Sequence, residues 1–357
     1  MPAKESTGLK GLDDILQSLR KGDNVVWQVD TIADYLHFVQ PYIRQALADK
    51  KKIVYIRFAK HPPLIEPNNL IKFYQLDAIS GFESFSKKVR EIVTAEGEGA
   101  FYLFDCLSDL LYAWATDLMI GNFFMVTCPY LFKLDTIAYF AILRNNHSFK
   151  TIARIRETTQ LLLDVYNFDG AFYVHPLKVW NRYSPTMFLP HLGKGDKFVP
   201  ITNSVDATRL FSYMSDRGVE SAERNLDYWD RLFLKAEEIA QKGTAEERTE
   251  LLDQLCKVII GREPRMLALA KKNFSLQDLL DIKSRMIGTG FIGGKAVGML
   301  LARKILSNEG GFDFLEPHDS FFIGSDIFYS YIVENGLWEK WLEQRSEQGY
   351  LEKAAEL

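Results

Sequence analysis

From Asn24 to about Leu189 the chain alternates short β-rich runs with amphipathic helical stretches, and this alternation constrains the fold more than any other feature. Candidate strands are NVVWQV (24–29), KIVYIRF (52–58), IKFYQL (71–76), AFYLFD (100–105) and FFMVTC (123–128). Between them, ADYLHFVQPYIRQALAD and GFESFSKKVREIVTAEG carry apolar residues at helical spacing, and Gly81 and Gly97 punctuate the second. Strands that alternate with helices favour an α/β fold: a mainly parallel sheet with helices on both faces. Further on, TTQLLLDVYNFDGAFYVHPLKVW predicts a hairpin turning at Asn167–Gly170, an antiparallel edge on that sheet. The preceding HSFKTIARIRETTQ reads as a β-rich segment with Arg154 and Arg156 on one face of a basic sheet edge. Residues 190 to about 220 read as loop. Two amphipathic helices follow, SAERNLDYWDRLFLKAEEIAQKG and TAEERTELLDQLCKVIIG, parted at Gly243.

At 357 residues the chain is long enough for about two or three domains with real cores. A formal net charge of -4 gives no long-range attraction to nucleic acid or to an anionic membrane, and neither is an expected partner. Cys106, Cys128 and Cys256 are widely spaced and form no C-x-x-C pair, so neither a disulfide framework nor a zinc site is suggested. No basic-then-apolar leader opens the chain and no apolar run approaches a bilayer span, so a cytoplasmic location is expected.

The strand VVWQV runs directly into Asp30, Thr31, Ile32, Ala33 and Asp34. A phosphate loop needs glycines that turn backbone N–H groups into one concavity, a lysine for the phosphates and a Ser or Thr for magnesium. Here there is no glycine and no lysine, and the two carboxylates are expected to repel phosphate. The partner strand AFYLFD nevertheless ends in Asp105, the pattern of the acidic residue that holds metal-bound water in phosphate-loop ATPases. A structural aspartate at a helix N-cap is the competing reading.

With STGLKGLDDIL, AFYLFDCLSDLL and FFMVTCPYLFKLDTIAYFAILRNNHS on the page, the first half of the chain resembles the RecA-like domain of the KaiC circadian-clock ATPase family. That family's G-L-D-x-(I/L)-L is matched by Gly11, Leu12, Asp13, Asp14, Ile15 and Leu16. The resemblance implies a RecA-like fold. With a degenerate Walker A turn, and Asp105 as a degenerate Walker B residue, it implies a scaffold or docking module rather than ATP hydrolysis.

Residues 284–301 read SRMIGTGFIGGKAVGMLL, with Gly288, Gly290, Gly293, Gly294, Lys295 and Gly298 leading into an amphipathic helix. Glycine backbone N–H groups, a helix N-terminus and a lysine in its first turn together suit a phosphate, although a G-G-K before a helix also serves as a plain tight turn. The run FIGGKAVGMLLARKIL followed by FLEPHDSFFIGSDIFYSYIVENGL is similar to the opening of the ATP-grasp domain of phosphoenolpyruvate synthase and pyruvate phosphate dikinase. Gly293, Gly294, Lys295, Ala296 and Met299–Leu301 match its first block; Pro317, Phe321, Phe322 and the helix from Ser325 match its second, with His318–Ser320 replacing a usual glycine. The resemblance implies that Gly293, Gly294 and Lys295 contact ATP phosphate.

The expected organisation is a RecA/KaiC-like domain over 1–190, a loop and helical linker over 191–273, and a partial ATP-grasp segment over 274–357. The chain then reads as the N-terminal piece of a phosphoenolpyruvate synthase-like phosphotransferase. Its ATP and magnesium would act in the full-length parent, and its partners would be further C-terminal domains or a partner subunit. The alternative is a non-catalytic KaiC-like regulatory protein that assembles with an active relative, or a homo-oligomer. His147, His175 and His191 read as structural or surface residues.

Overall fold

The computed structural model describes residues 4–216, 226–310, 316 and 319–345. The chain divides into two compact units: Met1–Leu111 with Ile120–Asn225, and Tyr112–Met119 with Leu226–Leu357. In chain order the elements of the first stretch are β1 (Lys4–Glu5), α1 (Lys10–Leu16), β2 (Leu19–Arg20), β3 (Asn24–Val29), α2 (Ile32–Ala48), β4 (Ile53–Arg57), β5 (Ile71–Gln75), α3 (Gly81–Glu96) and β6 (Phe101–Cys106). They continue through α4 (Leu111–Trp114), α5 (Leu118–Lys133), β7 (Ile137–Leu143), α6 (Phe149–Thr158), β8 (Leu161–Phe168), β9 (Ala171–Val179), β10 (His191–Lys194), β11 (Lys197–Pro200) and α7 (Ser204–Asp216).

Nine strands form one sheet in the order β11-β10-β9-β8-β3-β7-β6-β4-β5. The pairs from β8 through β3, β7, β6 and β4 to β5 are parallel, whereas β9, β10 and β11 add antiparallel. Alternation within strands gives each face its own core. Trp27, Leu103 and Tyr139 lie with Phe38 and Tyr42 of α2 on one side, where Tyr42 stacks on Tyr139 at 3.8 Å. On the other, Phe104 and Phe140 stack at 4.4 Å and meet Phe123 and Phe124 of α5, while Phe85 of α3 contacts Phe123. Gly11 of the G-L-D run is needed for close approach: a Cβ there would stand 2.5 Å from the Asp196 carbonyl oxygen, and its N–H donates to that oxygen at 3.1 Å.

Three local readings are corrected. Phe123–Cys128 is helical, inside α5, and the strand beside β3 is Ile137–Leu143. A run apolar but for Thr127 carries no period to separate buried helix from buried strand. Phe149–Thr158 is a helix capped by Ser148, whose hydroxyl accepts the Thr151 N–H, so Arg154 and Arg156 do not share a sheet face; Arg154 instead donates to Asn122 at 2.6 Å. Residues 191–200 form the β10–β11 hairpin and Ser204–Asp216 is α7, so the stretch read as loop is largely ordered into elements. The β8–β9 hairpin matches its expected turn, with Asp169 and Gly170 both at positive φ.

The second unit gathers α8 (Tyr228–Lys242), α9 (Ala245–Ile259), α10 (Pro264–Asn273), α11 (Leu276–Ser284), β12 (Met286–Ile287), α12 (Gly294–Glu309), β13 (Phe322–Ile323), α13 (Ser325–Glu334) and α14 (Trp338–Gln344). Trp229, Phe233, Leu255, Ile259, Leu279, Val297 and Ala115 share its core. Pro317 and His318 lie outside the described residues, as does the chain beyond 345. Among the described residues no helix is long and apolar enough to cross a membrane.

Asp227, which caps α8, gives this unit a pH signature. Burial first, then the neighbouring Asp117 and Asp230 carboxylates, push its carboxyl from 3.8 up to about 6 against the Asp230 N–H and the Thr116 hydroxyl. A carboxyl raised in the folded state favours folding while protonated, so this contribution is present below 3.8 and lost as pH rises through about 6. Chemical denaturation across that window is expected to show the second unit losing on the order of 2 kcal/mol, with Asp227→Asn, which keeps a capping side chain, flattening the slope.

Candidate functional site

The C-terminal ends of β3, β7 and β8 meet at the turn where a phosphate loop would stand. Only Asp30 and Thr31 separate β3 from α2. Thr31 caps the helix: its hydroxyl accepts the Asp34 N–H, and the Asp34 carboxylate accepts the Thr31 N–H at 3.0 Å. The capping box spends the Thr31 and Asp34 groups on each other and leaves the Ile32 and Ala33 N–H groups of the first turn outside it.

Arg144, at the end of β7, closes the same place. Its Nε donates to Asp30 at 2.7 Å, Nη1 to Asp164 and Nη2 to the Val165 carbonyl at 2.6 Å, while the guanidinium lies 3.9 Å over the Tyr166 ring. Tyr166 in turn donates to Asp164 at 2.5 Å, and Asn167 donates to Asp34 at 3.1 Å. The missing glycines and lysine are visible in the sequence; the structure adds Arg144 and its partners beside the turn. Asp30 shares one guanidinium with Asp164, so its carboxylate is paired rather than bare.

Asp105 is brought to the neighbouring strand end and is wholly buried. Tyr55 donates to its Oδ1; Arg57 Nη1, the Phe58 N–H and the Ala59 N–H donate to Oδ2 at 2.6, 2.8 and 2.9 Å. Burial, and then the Asp105 charge, raise the Tyr55 hydroxyl far above its ordinary value, which keeps it a donor. A carboxylate with this many donors has little capacity left to orient metal-bound water. Ser108, just beyond β6, sits 2.7 Å from Nε2 of buried His147 and accepts the Leu143 N–H at 2.8 Å. His147 thus ties strand ends together, as its structural reading expected. Sequence reasoning missed Arg144, Tyr55 and Arg57; each is a polar residue in or ending an apolar strand, the one local sign available.

In the second unit the residues just ahead of Gly293 meet the segment from Phe322 to Asp326. Parallel β12 and β13 pair Met286 with Phe322 and Ile287 with Ile323. The Asp326 carboxylate accepts the Thr289 N–H at 2.7 Å and the Thr289 hydroxyl at 2.9 Å, and Ser325 Oγ accepts the Phe291 N–H at 3.1 Å. Gly290 needs to be glycine: it has φ +85°, and a Cβ would stand 2.6 Å from Ser325 Oγ. Gly293 and Gly294 open α12, with Lys295 following, and all three are exposed. No side chain caps this helix start, and a Cβ on Gly293 or Gly294 would meet nothing within 4 Å. The turn is open to an anion in a way that the Asp30–Thr31 turn is not. A separate cavity of about 610 Å³ lies between α11 and α12, lined by Ile282, Leu300, Arg303 and Phe322 among others, with Lys304 held by Asp278 at 2.7 Å. Among the described residues no group of three or more His, Cys, Asp or Glu side chains is arranged to hold a metal.

Comparison with protein-family models finds no match, and a search of curated proteins finds no relative.

Proposed function

We propose that the chain is the N-terminal part of a phosphoenolpyruvate synthase or pyruvate phosphate dikinase-like phosphotransferase, in which the first unit is a RecA/KaiC-like docking module without ATPase chemistry. The observation that carries the second half of this reading is the Asp30–Arg144–Asp164 cluster, which fills the phosphate position, together with the capping box at Thr31. The RecA-like assignment is supported by a mainly parallel sheet in which the strand entering the degenerate turn is central, flanked by β7 and β8. Support for an ATP-grasp beginning comes from the Ser325–Asp326 clamp on the Thr289–Phe291 turn and from the open helix start.

In this reading ATP supplies the transferable phosphoryl group when the domain is complete. Gly293 and Gly294 would hold its phosphate through backbone N–H groups at the start of α12, and Lys295 would add a full positive charge. Further domains or a partner subunit would complete the site, in a cytoplasmic setting suited to free, buried cysteines.

Phosphate release from Mg-ATP tests the non-hydrolysing role. The expected result is no turnover above the buffer blank. Sustained turnover that disappears in Asp105→Asn overturns it, because that carboxylate would then be acting on a nucleotide.

A further inference from the structure

The opposite edge of the same sheet presents a surface that the nucleotide reading does not use. Loops at the N-terminal ends of β3, β7 and β8 meet the end of β9: Gly22 N–H donates to Thr136 at 2.8 Å, Gln160 N–H to Asn24 at 3.2 Å and Trp180 N–H to Gln160 at 2.9 Å. Three aromatic side chains stand out of this edge. Trp180 is 50% exposed, Tyr183 72% and Phe132 39%, with the Phe132 and Trp180 rings edge to face at 5.7 Å. The backbone around Trp180 and Tyr183 is held. Gln17 Nε2 donates to the Tyr183 carbonyl at 2.7 Å, Arg20 Nη1 to the Asn181 carbonyl at 3.1 Å, and Phe132 covers Gly22 so closely that a Cβ there would stand 2.8 Å from its ring.

Cations surround these rings. Lys21 and Lys133 are exposed and make no ion pair among the described residues, and Arg20 is partly exposed. Over residues 17–22, 132–136 and 178–183 the one carboxylate is Asp135, and Asp23, next to Gly22, is buried and paired with Arg182. A basic pole with exposed aromatics on a chain of net charge -4 is a local reversal of sign. Trp, Tyr and Arg are the side chains that anchor protein interfaces, and complementary charge sets the partner.

We infer that this edge, with Arg20, Lys21, Phe132, Lys133, Trp180 and Tyr183, is a docking face for an acidic protein segment that carries apolar side chains. A second copy presenting the same face would set cation against cation. A single-stranded nucleic acid would need flat rings open for stacking along a continuous cationic groove, whereas here Phe132 meets Trp180 edge-on. The assignment rests on the docking role proposed for the first unit and gives that role a place and a partner chemistry.

The test uses the full chain and three probes: an amphipathic glutamate–leucine peptide, the lysine–leucine peptide of the same pattern, and an oligothymidylate. The glutamate peptide is expected to bind, to weaken with salt, and to lose about tenfold or more in affinity in Trp180→Ala and in Lys21→Glu/Lys133→Glu. Phe211→Ser, at an exposed ring on α7, is expected to leave binding unchanged, and thermal melts confirm that each variant is folded. No binding of the glutamate peptide, binding indifferent to the Trp180 and lysine changes, or tighter binding of the lysine peptide or the oligothymidylate overturns the face. Mg-ATP titrated in parallel separates the two failures: nucleotide bound by the first unit removes the docking role itself, whereas silence from both nucleotide and peptide removes only this face.

Discussion

Asp105→Ala is expected to lower the stability of the first unit by about 3–5 kcal/mol, the cost of removing one partner from a buried ion pair. The substitution strands Arg57, whose side chain is largely buried, and leaves the N–H groups of Phe58 and Ala59 and the Tyr55 hydroxyl without their shared acceptor. Asp105→Asn is the more informative companion. It preserves volume but replaces one acceptor oxygen with a donor group, facing either Tyr55 or the Arg57 and N–H side, so it too is expected to destabilise, by more than about 1 kcal/mol. A carboxylate kept for metal chemistry behaves oppositely, since neutralising it relieves repulsion and leaves stability equal or higher. Urea denaturation of the two variants reads the sign directly.

Arg144→Met is expected to cost a similar amount, again about 3–5 kcal/mol, with a distinctive pH dependence. Without the guanidinium, Asp30 and Asp164 lose their shared cation, and the Val165 carbonyl loses its donor. Asp164, whose carboxyl burial already raises, loses the Arg144 charge that lowers it, so its proton affinity rises further. Groups with raised folded values favour folding at low pH, so the deficit is expected to shrink as pH falls from about 7 to about 4. Adding Asp164→Asn to Arg144→Met is expected to recover part of the loss, a coupling that separates the ion-pair cluster from simple loss of packing over Tyr166. A deficit independent of pH, with no recovery in the double variant, assigns the effect to packing alone.

The sequence made the architecture legible where period and punctuation were strong. The runs around β3, β4, β5 and β6 stood out against amphipathic α2 and α3, and Asp169-Gly170 marked its hairpin. Legibility failed where tertiary burial erased the pattern. α5 is apolar around most of its circumference because it packs on the sheet, so Phe123–Cys128 imitated a strand. α6 is short and rich in β-branched residues, and its Ser148 cap was the signal that went unread.

At the degenerate turn, missing glycines and lysine were visible, but the residues that fill the space were not. Arg144 reaches Asp30 from 114 residues away, and Arg57 reaches Asp105 from 48. Neither pairing leaves a local trace, because sheet order, not chain proximity, brings those strand ends together. The glycine-rich turn of the second unit was the reverse case. Its glycines were conspicuous, while the Asp326 and Ser325 contacts that shape it became readable only once β12 and β13 were paired.

We propose that the turn after β3 carries an internal ion-pair cluster in place of a phosphate site. Calorimetric titration of Mg-ATP into the full chain, repeated on Lys295→Ala, tests it most directly. The expected result is no saturable binding that survives the Lys295 change, since the turn after β3 has no lysine and Arg144 beside it is engaged by Asp30 and Asp164. Saturable micromolar binding that persists in Lys295→Ala contradicts it.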